Sequence, residues 1–159
     1  MIEDIVQDEK LEFLRVDTPG QFPEWASRKT VEDFLHHKMK PFEDTPEDIH
    51  EALEYCFSDE GGKGGFTMLT RVDGKLGGIC VMLKTGMKGY VPEWILLMIS
   101  VDPELRGRGI GQKLAKKCLD EVNAPVKLHV EYDNPAKRLY ERIGFTSKYA
   151  EMRYNPGDK

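Results

Sequence analysis

Long apolar runs, paired cysteines and an excess of positive charge are all lacking in this sequence of 159 residues. The longest uninterrupted apolar run, residues 94–99, is far shorter than the roughly 20 residues of a membrane-spanning helix, so no membrane partner is expected. Cysteine occurs three times without a Cys-x-x-Cys pair, which argues against a disulfide framework or a zinc knuckle. A net charge of −5 disfavours nucleic-acid binding, because that generally needs a basic stripe.

Histidine is also scarce, and none of the four histidines has the spacing of metal ligands, so no metal site is expected. The N-terminus, residues 1–4, is acidic and unlike a signal peptide, and the sequence therefore predicts a cytoplasmic protein. What is present is a globular composition, with 40% hydrophobic and 32% charged residues. No repeat or Pro/Ser-rich linker divides the chain, so residues 1–159 are interpreted as a single domain.

Apolar periodicity predicts strands and helices that alternate along the chain. Thr45-Pro46 followed by acidic residues is typical of a helix start, and Asp73-Gly74 is typical of a β-hairpin turn. The predicted strands span residues 10–16, 66–72, 76–83, 93–101, 126–130 and 145–154, and the predicted helices 24–39, 45–57, 109–122 and 134–143. This order indicates the α/β class, with a mixed α+β sheet that carries helices on both faces.

A glycine-rich loop, Arg106-Gly107-Arg108-Gly109-Ile110-Gly111, lies between the most apolar strand and a helix. Its glycines would let the backbone approach a ligand closely, and the amides and dipole of the helix N-terminus favour a pyrophosphate. No Gly-Lys-Ser/Thr follows, so it is not a Walker A loop, and its spacing differs from Gly-x-Gly-x-x-Gly. On spacing alone, a tight strand-to-helix turn without a ligand remains an alternative.

Residues 101–114, VDPELRGRGIGQKL, resemble the acetyl-CoA motif of the GCN5-related N-acetyltransferase (GNAT) superfamily, whose core is Arg/Gln-x-x-Gly-x-Gly/Ala. The strand before this motif and the segment 134–145 after it fall where that family has other conserved segments. The resemblance covers residues 93–145, about a third of the chain. It implies a GNAT-like acyl-CoA N-acyltransferase fold, with acetyl transfer from acetyl-CoA to a primary amine of a small molecule or a protein.

The resemblance assigns the cofactor to one continuous stretch of chain. The pantetheine arm would lie beside the strand end at Ile99, Ser100 and Val101. A bulge would separate this strand from residues 126–130, and the thioester would reach the opening between them. The pyrophosphate would lie on the loop and the first helical turn, formed by Arg106, Gly107, Arg108, Gly109, Ile110, Gly111 and Gln112.

Glu93 is the candidate general base, because it opens an otherwise apolar strand. Several members of the family use a glutamate at this place, directly or through a water molecule. Glu131 and Asp133, after the following strand, are rivals for the role. A solvent-facing carboxylate at the strand end is the alternative interpretation of Glu93.

Tyr140 is the candidate general acid, because residues 139–145, LYERIGF, resemble the Leu-Tyr-x-x-x-Gly-Phe segment of the family. There the tyrosine hydroxyl points at the thioester sulfur; a core aromatic is the alternative. The family usually places an asparagine seven residues before this tyrosine, where Asp133 stands here. Asn134, one position later, either binds the cofactor or only caps the helix that follows.

The acceptor is not identified by any motif. Acidic residues between positions 43 and 54 could attract a cationic amine, although such a run is more often a solvated helix face. A cofactor-binding sensor without turnover, a longer acyl donor and a hydroxyl acceptor are alternatives to amine acetylation, and a homodimer is left open.

Overall fold

A computed structural model describes residues 10–157, which form both strands and helices. The acidic residues 1–4 lie outside this range. The chain divides into two compact units, Met1–Leu128 and His129–Lys159. The strands of the first unit are β1 (Leu11–Val16), β2 (Gly65–Val72), β3 (Lys75–Lys84), β4 (Trp94–Val101) and β5 (Val126–Lys127). Its helices are α1 (Arg28–His37), α2 (Pro46–Cys56) and α3 (Ile110–Val122), and the second unit contains α4 (Ala136–Arg142).

The five strands form one mixed sheet in the order β1-β2-β3-β4-β5. The pairs β1–β2, β2–β3 and β3–β4 are antiparallel, and β5 is parallel to β4. Asp73 and Gly74 join β2 to β3 with φ values of 49° and 87°, and two successive left-handed residues are what a tight hairpin turn needs. The predicted hairpin is therefore confirmed.

Helices cover both faces of this sheet. On β3, Ile79, Val81 and Leu83 belong to the apolar core that also contains the inner faces of α1 and α2. The intervening Cys80 points to the other face, where its thiol contacts Cys118 of α3. The predicted mixed sheet with helices on both faces is confirmed.

The start of α2 follows the local chemistry of its sequence. Thr45 Oγ1 accepts a hydrogen bond of 3.1 Å from the Asp48 amide, and Pro46 occupies the first turn. Among residues 10–157, no helix combines the length and the apolar character that crossing a membrane would take.

The predicted last strand is wrong: residues 145–154 are not in a strand, and β5 ends at Lys127 rather than at residue 130. Tyr149, Met152 and Tyr154 are instead exposed. The alternating apolar residues of this segment are typical of a strand. A strand forms, however, only where a neighbouring strand supplies the hydrogen-bond partners.

Candidate active site

Strand β4 contains a β-bulge at its centre. Its ladder with β3 passes from Met82↔Leu96 to Val81↔Met98, so Leu97 is an extra residue without a counterpart. Leu97 is 37% exposed, whereas Leu96 and Met98 are 2% and 4% exposed. The bulge therefore brings one leucine of a central strand to the surface.

The opposite edge of β4 is paired over only a short length. Its parallel ladder with β5 consists of Trp94↔Val126 and Ile95↔Lys127, both before the bulge. Within residues 10–157, no residue of β5 pairs with Ile99–Val101, which continue to pair with β3 on their other side. Backbone groups on such an edge can bind an extended ligand as an added strand would.

The glycine-rich loop leads from β4 into α3 with a left-handed backbone. Gly107 and Gly109 have φ values of 85° and 75°, and a Cβ atom added at either would meet nothing within 4 Å. Their requirement for glycine is thus conformational rather than steric. Gly109 is the N-cap of α3, and no side chain caps the helix there. The first-turn amides of Ile110, Gly111 and Gln112 and the helix dipole suit an anion, and binding of the pyrophosphate there stays a prediction.

The loop is also attached to the end of α1. Arg106 Nη2 donates a hydrogen bond of 3.4 Å to the carbonyl of Lys38, 68 residues earlier. Lys38 Nζ in turn lies 3.7 Å from Asp102 Oδ2. Arg106 and Arg108 are exposed and add positive charge beside the amides. The sequence did not reveal Lys38, because contacts between distant segments leave no local pattern.

Glu93 lies one residue before β4 and is half-buried. Its carbonyl accepts a hydrogen bond of 2.9 Å from the Thr85 amide, which fixes the backbone at the start of the strand. The rivals Glu131 and Asp133 belong to the second unit and are exposed. The role of Glu93 as a base stays a prediction.

In the second unit, Tyr140 on α4 is buried, with its ring centroid 5.9 Å from that of Phe145. Tyr140 is therefore a packed aromatic residue, and the role of its hydroxyl as the general acid stays a prediction. Asn134 Oδ1 accepts a hydrogen bond of 2.9 Å from the Ala136 amide, so the side chain assists the start of α4. A contact of Asn134 with the cofactor also stays a prediction.

The family model described as "Acetyltransferase (GNAT) family" matches residues 21–145. A mycothiol acetyltransferase from Arthrobacter sp. (strain FB24) is 30% identical over 151 residues, covering 90% of this chain and 45% of that protein. One from Mycobacterium leprae (strain Br4923) is 39% identical over 67 residues, covering 36% of this chain and 22% of that protein. The chain thus spans less than half the length of these curated relatives.

Solved structures share the fold at lower sequence identity. The aminoglycoside N-acetyltransferase AAC(6')-Iy in complex with CoA superposes with a TM-score of 0.66 at 12% identity, covering 94% of this chain and 97% of that one. The match of the family model extends over most of the chain, and the fold agrees with it. The chain therefore belongs to the acetyltransferase (GNAT) family.

Proposed function

We propose that this chain transfers an acetyl group from acetyl-CoA to a primary amine, and that it does so in the cytoplasm. The observation that carries the proposal is one continuous segment of chain. It runs from the second half of β4, which lies beyond the bulge and is not paired with β5, through the left-handed glycine loop to the start of α3. Consecutive residues there offer a backbone edge and then a cluster of amides. This order matches a pantetheine arm joined to a pyrophosphate.

Backbone groups supply most of the proposed cofactor contacts. The backbone edge at Ile99–Val101 pairs with the pantetheine arm. The amides of residues 107–112 hold the pyrophosphate. Arg106 and Arg108 complement its charge, and Asn134 is a further cofactor contact.

The proposed chemistry begins with removal of a proton from the acceptor. An alkylammonium has a pKa of about 10.4, so its deprotonation to the free amine at pH 7 costs roughly 4–5 kcal/mol of free energy. Glu93 accepts this proton, directly or through a water molecule. The amine nitrogen then attacks the thioester carbonyl, whose developing oxyanion is stabilised by backbone N–H groups near Ile99. The C–N bond forms, the C–S bond breaks, and Tyr140 protonates the departing thiolate. The nitrogen then loses its second proton, and this proton restores the Tyr140 hydroxyl through solvent.

The acceptor is proposed only as a class. The curated relatives are named for mycothiol and the solved neighbour for aminoglycosides, so the acceptors of both enzymes belong in a panel with polyamines and lysine peptides. Because this chain spans less than half of the mycothiol acetyltransferases, their acceptor is one member of the panel and not an assignment.

Two measurements test the proposal. Acetyl-CoA should raise the melting temperature, because a ligand that binds only the folded state stabilises it by mass action. Thiol release should then be observed with at least one amine of the panel. The absence of a thermal shift would refute cofactor binding, whereas a shift without release of the CoA thiol in the presence of any acceptor would indicate a sensor.

The base is tested by Glu93→Gln, with Glu131→Gln as the matched control. The loss of rate in Glu93→Gln should shrink at high pH, where more of the amine is already neutral. A loss that is uniform over pH would assign Glu93 a structural role. A larger loss in Glu131→Gln would transfer the role of base to Glu131.

A further inference from the structure

Both peptide groups that flank Glu93 are held by a single residue, Thr85. Thr85 Oγ1 donates a hydrogen bond of 2.6 Å to the carbonyl of Pro92, which belongs to the peptide group before Glu93. The Thr85 amide donates a hydrogen bond of 2.9 Å to the carbonyl of Glu93, in the peptide group after it. Peptide groups are planar, so holding both restrains the φ and ψ of Glu93 and the direction of its Cα–Cβ bond.

The Thr85 hydroxyl has a defined orientation. It accepts a hydrogen bond of 3.2 Å from the Met87 amide, so its own proton is directed to the Pro92 carbonyl. One hydroxyl thereby joins the two ends of the loop between β3 and β4. The β3–β4 ladder has its last pair at Lys84↔Trp94, so these bonds lie where the strand ends would otherwise fray.

Two large side chains near the tip of this loop are exposed. Met87 and Tyr90 are 58% and 82% exposed, whereas Thr85, Pro92 and Glu93 are half-buried. These two side chains therefore bury little apolar surface, while the hydrogen bonds of Thr85 join the two ends of the loop.

We infer that Thr85 is a positioning residue, whose hydroxyl and amide hold Glu93 in the orientation in which its carboxylate receives the proton of the acceptor amine. This inference rests on the proposed role of Glu93 as the base. Catalytic groups need to be held within about 0.5 Å of their productive geometry, and hydrogen bonds from neighbouring residues commonly provide this restraint.

The first test compares Thr85→Val, which removes the hydroxyl at nearly constant volume, with Thr85→Ser, which retains it. We expect kcat to fall about fivefold in Thr85→Val, the rate change that corresponds to one lost neutral hydrogen bond, and to stay near wild type in Thr85→Ser. The KM for acetyl-CoA should not change, because the proposed donor segment lies at the other end of β4. Thr67→Val is the matched control, since it removes a buried hydroxyl 3.6 Å from Cys56 Sγ in the same sheet.

A structural role would also slow the enzyme, and a double-mutant cycle with Glu93→Gln separates the two explanations. If Thr85 acts through Glu93, Thr85→Val should cause no further loss in the Glu93→Gln background. An equal fivefold loss in both backgrounds would overturn the inference. Should Thr85→Val melt well below Thr67→Val, Thr85→Ala provides the same cycle without the added methyl group.

The outcomes distinguish the positioning role from the function itself. A slow Glu93→Gln beside a fully active Thr85→Val would overturn the positioning role and leave the base assigned. A fully active Glu93→Gln would overturn both. An inactive wild-type protein over the whole amine panel would refute the proposed function and, with it, this inference.

Discussion

Replacing Gly109 with alanine tests whether the left-handed loop is the cofactor site. Gly109 has φ 75° and ψ 11°, and a left-handed residue with a side chain costs about 1–2 kcal/mol. A Cβ atom there meets nothing within 4 Å, so this cost is conformational and not steric. In the free protein the loop can relax, but the bound pyrophosphate would demand the strained form. The affinity for CoA should therefore fall by about 5- to 30-fold.

Isothermal titration calorimetry with CoA measures this loss directly. Gly74→Ala is the matched control, because Gly74 has φ 87° with nothing within 4 Å but lies in the β2–β3 hairpin. It should lower the melting temperature and leave the affinity for CoA unchanged. Wild-type affinity in Gly109→Ala, or an equal loss of affinity in Gly74→Ala, would refute the assignment of the loop.

Two further predictions concern Tyr140 and the cysteines. Tyr140→Phe should lower turnover in the thiol-release assay with little change in CoA affinity. Tyr149→Phe changes an exposed tyrosine and should leave turnover unchanged. An unchanged rate in Tyr140→Phe would remove Tyr140 from the mechanism. Burial raises the pKa of the Cys56 thiol to about 11 and that of Cys80 well above its usual value. Dithionitrobenzoate at pH 8 should thus react slowly with the native protein and rapidly in denaturant, and fast native labelling would contradict the burial of the thiols.

Features that depend on a residue's own backbone preference could be predicted from the sequence. Thr45 and Pro46 start α2, and Asp73-Gly74 forms the hairpin, because these residues favour those conformations wherever they occur. The start of α3 directly after Gly109 belongs to the same group, since a helix was predicted over residues 109–122. The GNAT family followed from one such local segment, since the glycine loop and its neighbouring elements occupy a short, continuous stretch.

Features that depend on a partner elsewhere in the chain could not be predicted. The segment 145–154 has the alternation of a strand but no strand pairing, and β5 stops after two residues. The attachment of Arg106 to Lys38 joins positions 68 residues apart. Thr85 follows a strand in the sequence like any other threonine in a loop, and its significance lies in its hydrogen bonds to the carbonyls of Pro92 and Glu93.

The bulge at Leu97 links the fold to the proposed chemistry, because one extra residue changes the two halves of β4 in different ways. Before it, β4 pairs on both edges and fixes the backbone next to Glu93. After it, β4 keeps only its β3 partner within the described residues, and Ile99–Val101 form the edge proposed to bind the cofactor. A regular strand that stayed paired with β5 along its whole length would present no such edge. The bulge thus separates the proposed donor edge in the second half of β4 from the start of the strand, which Glu93, the proposed base, directly precedes.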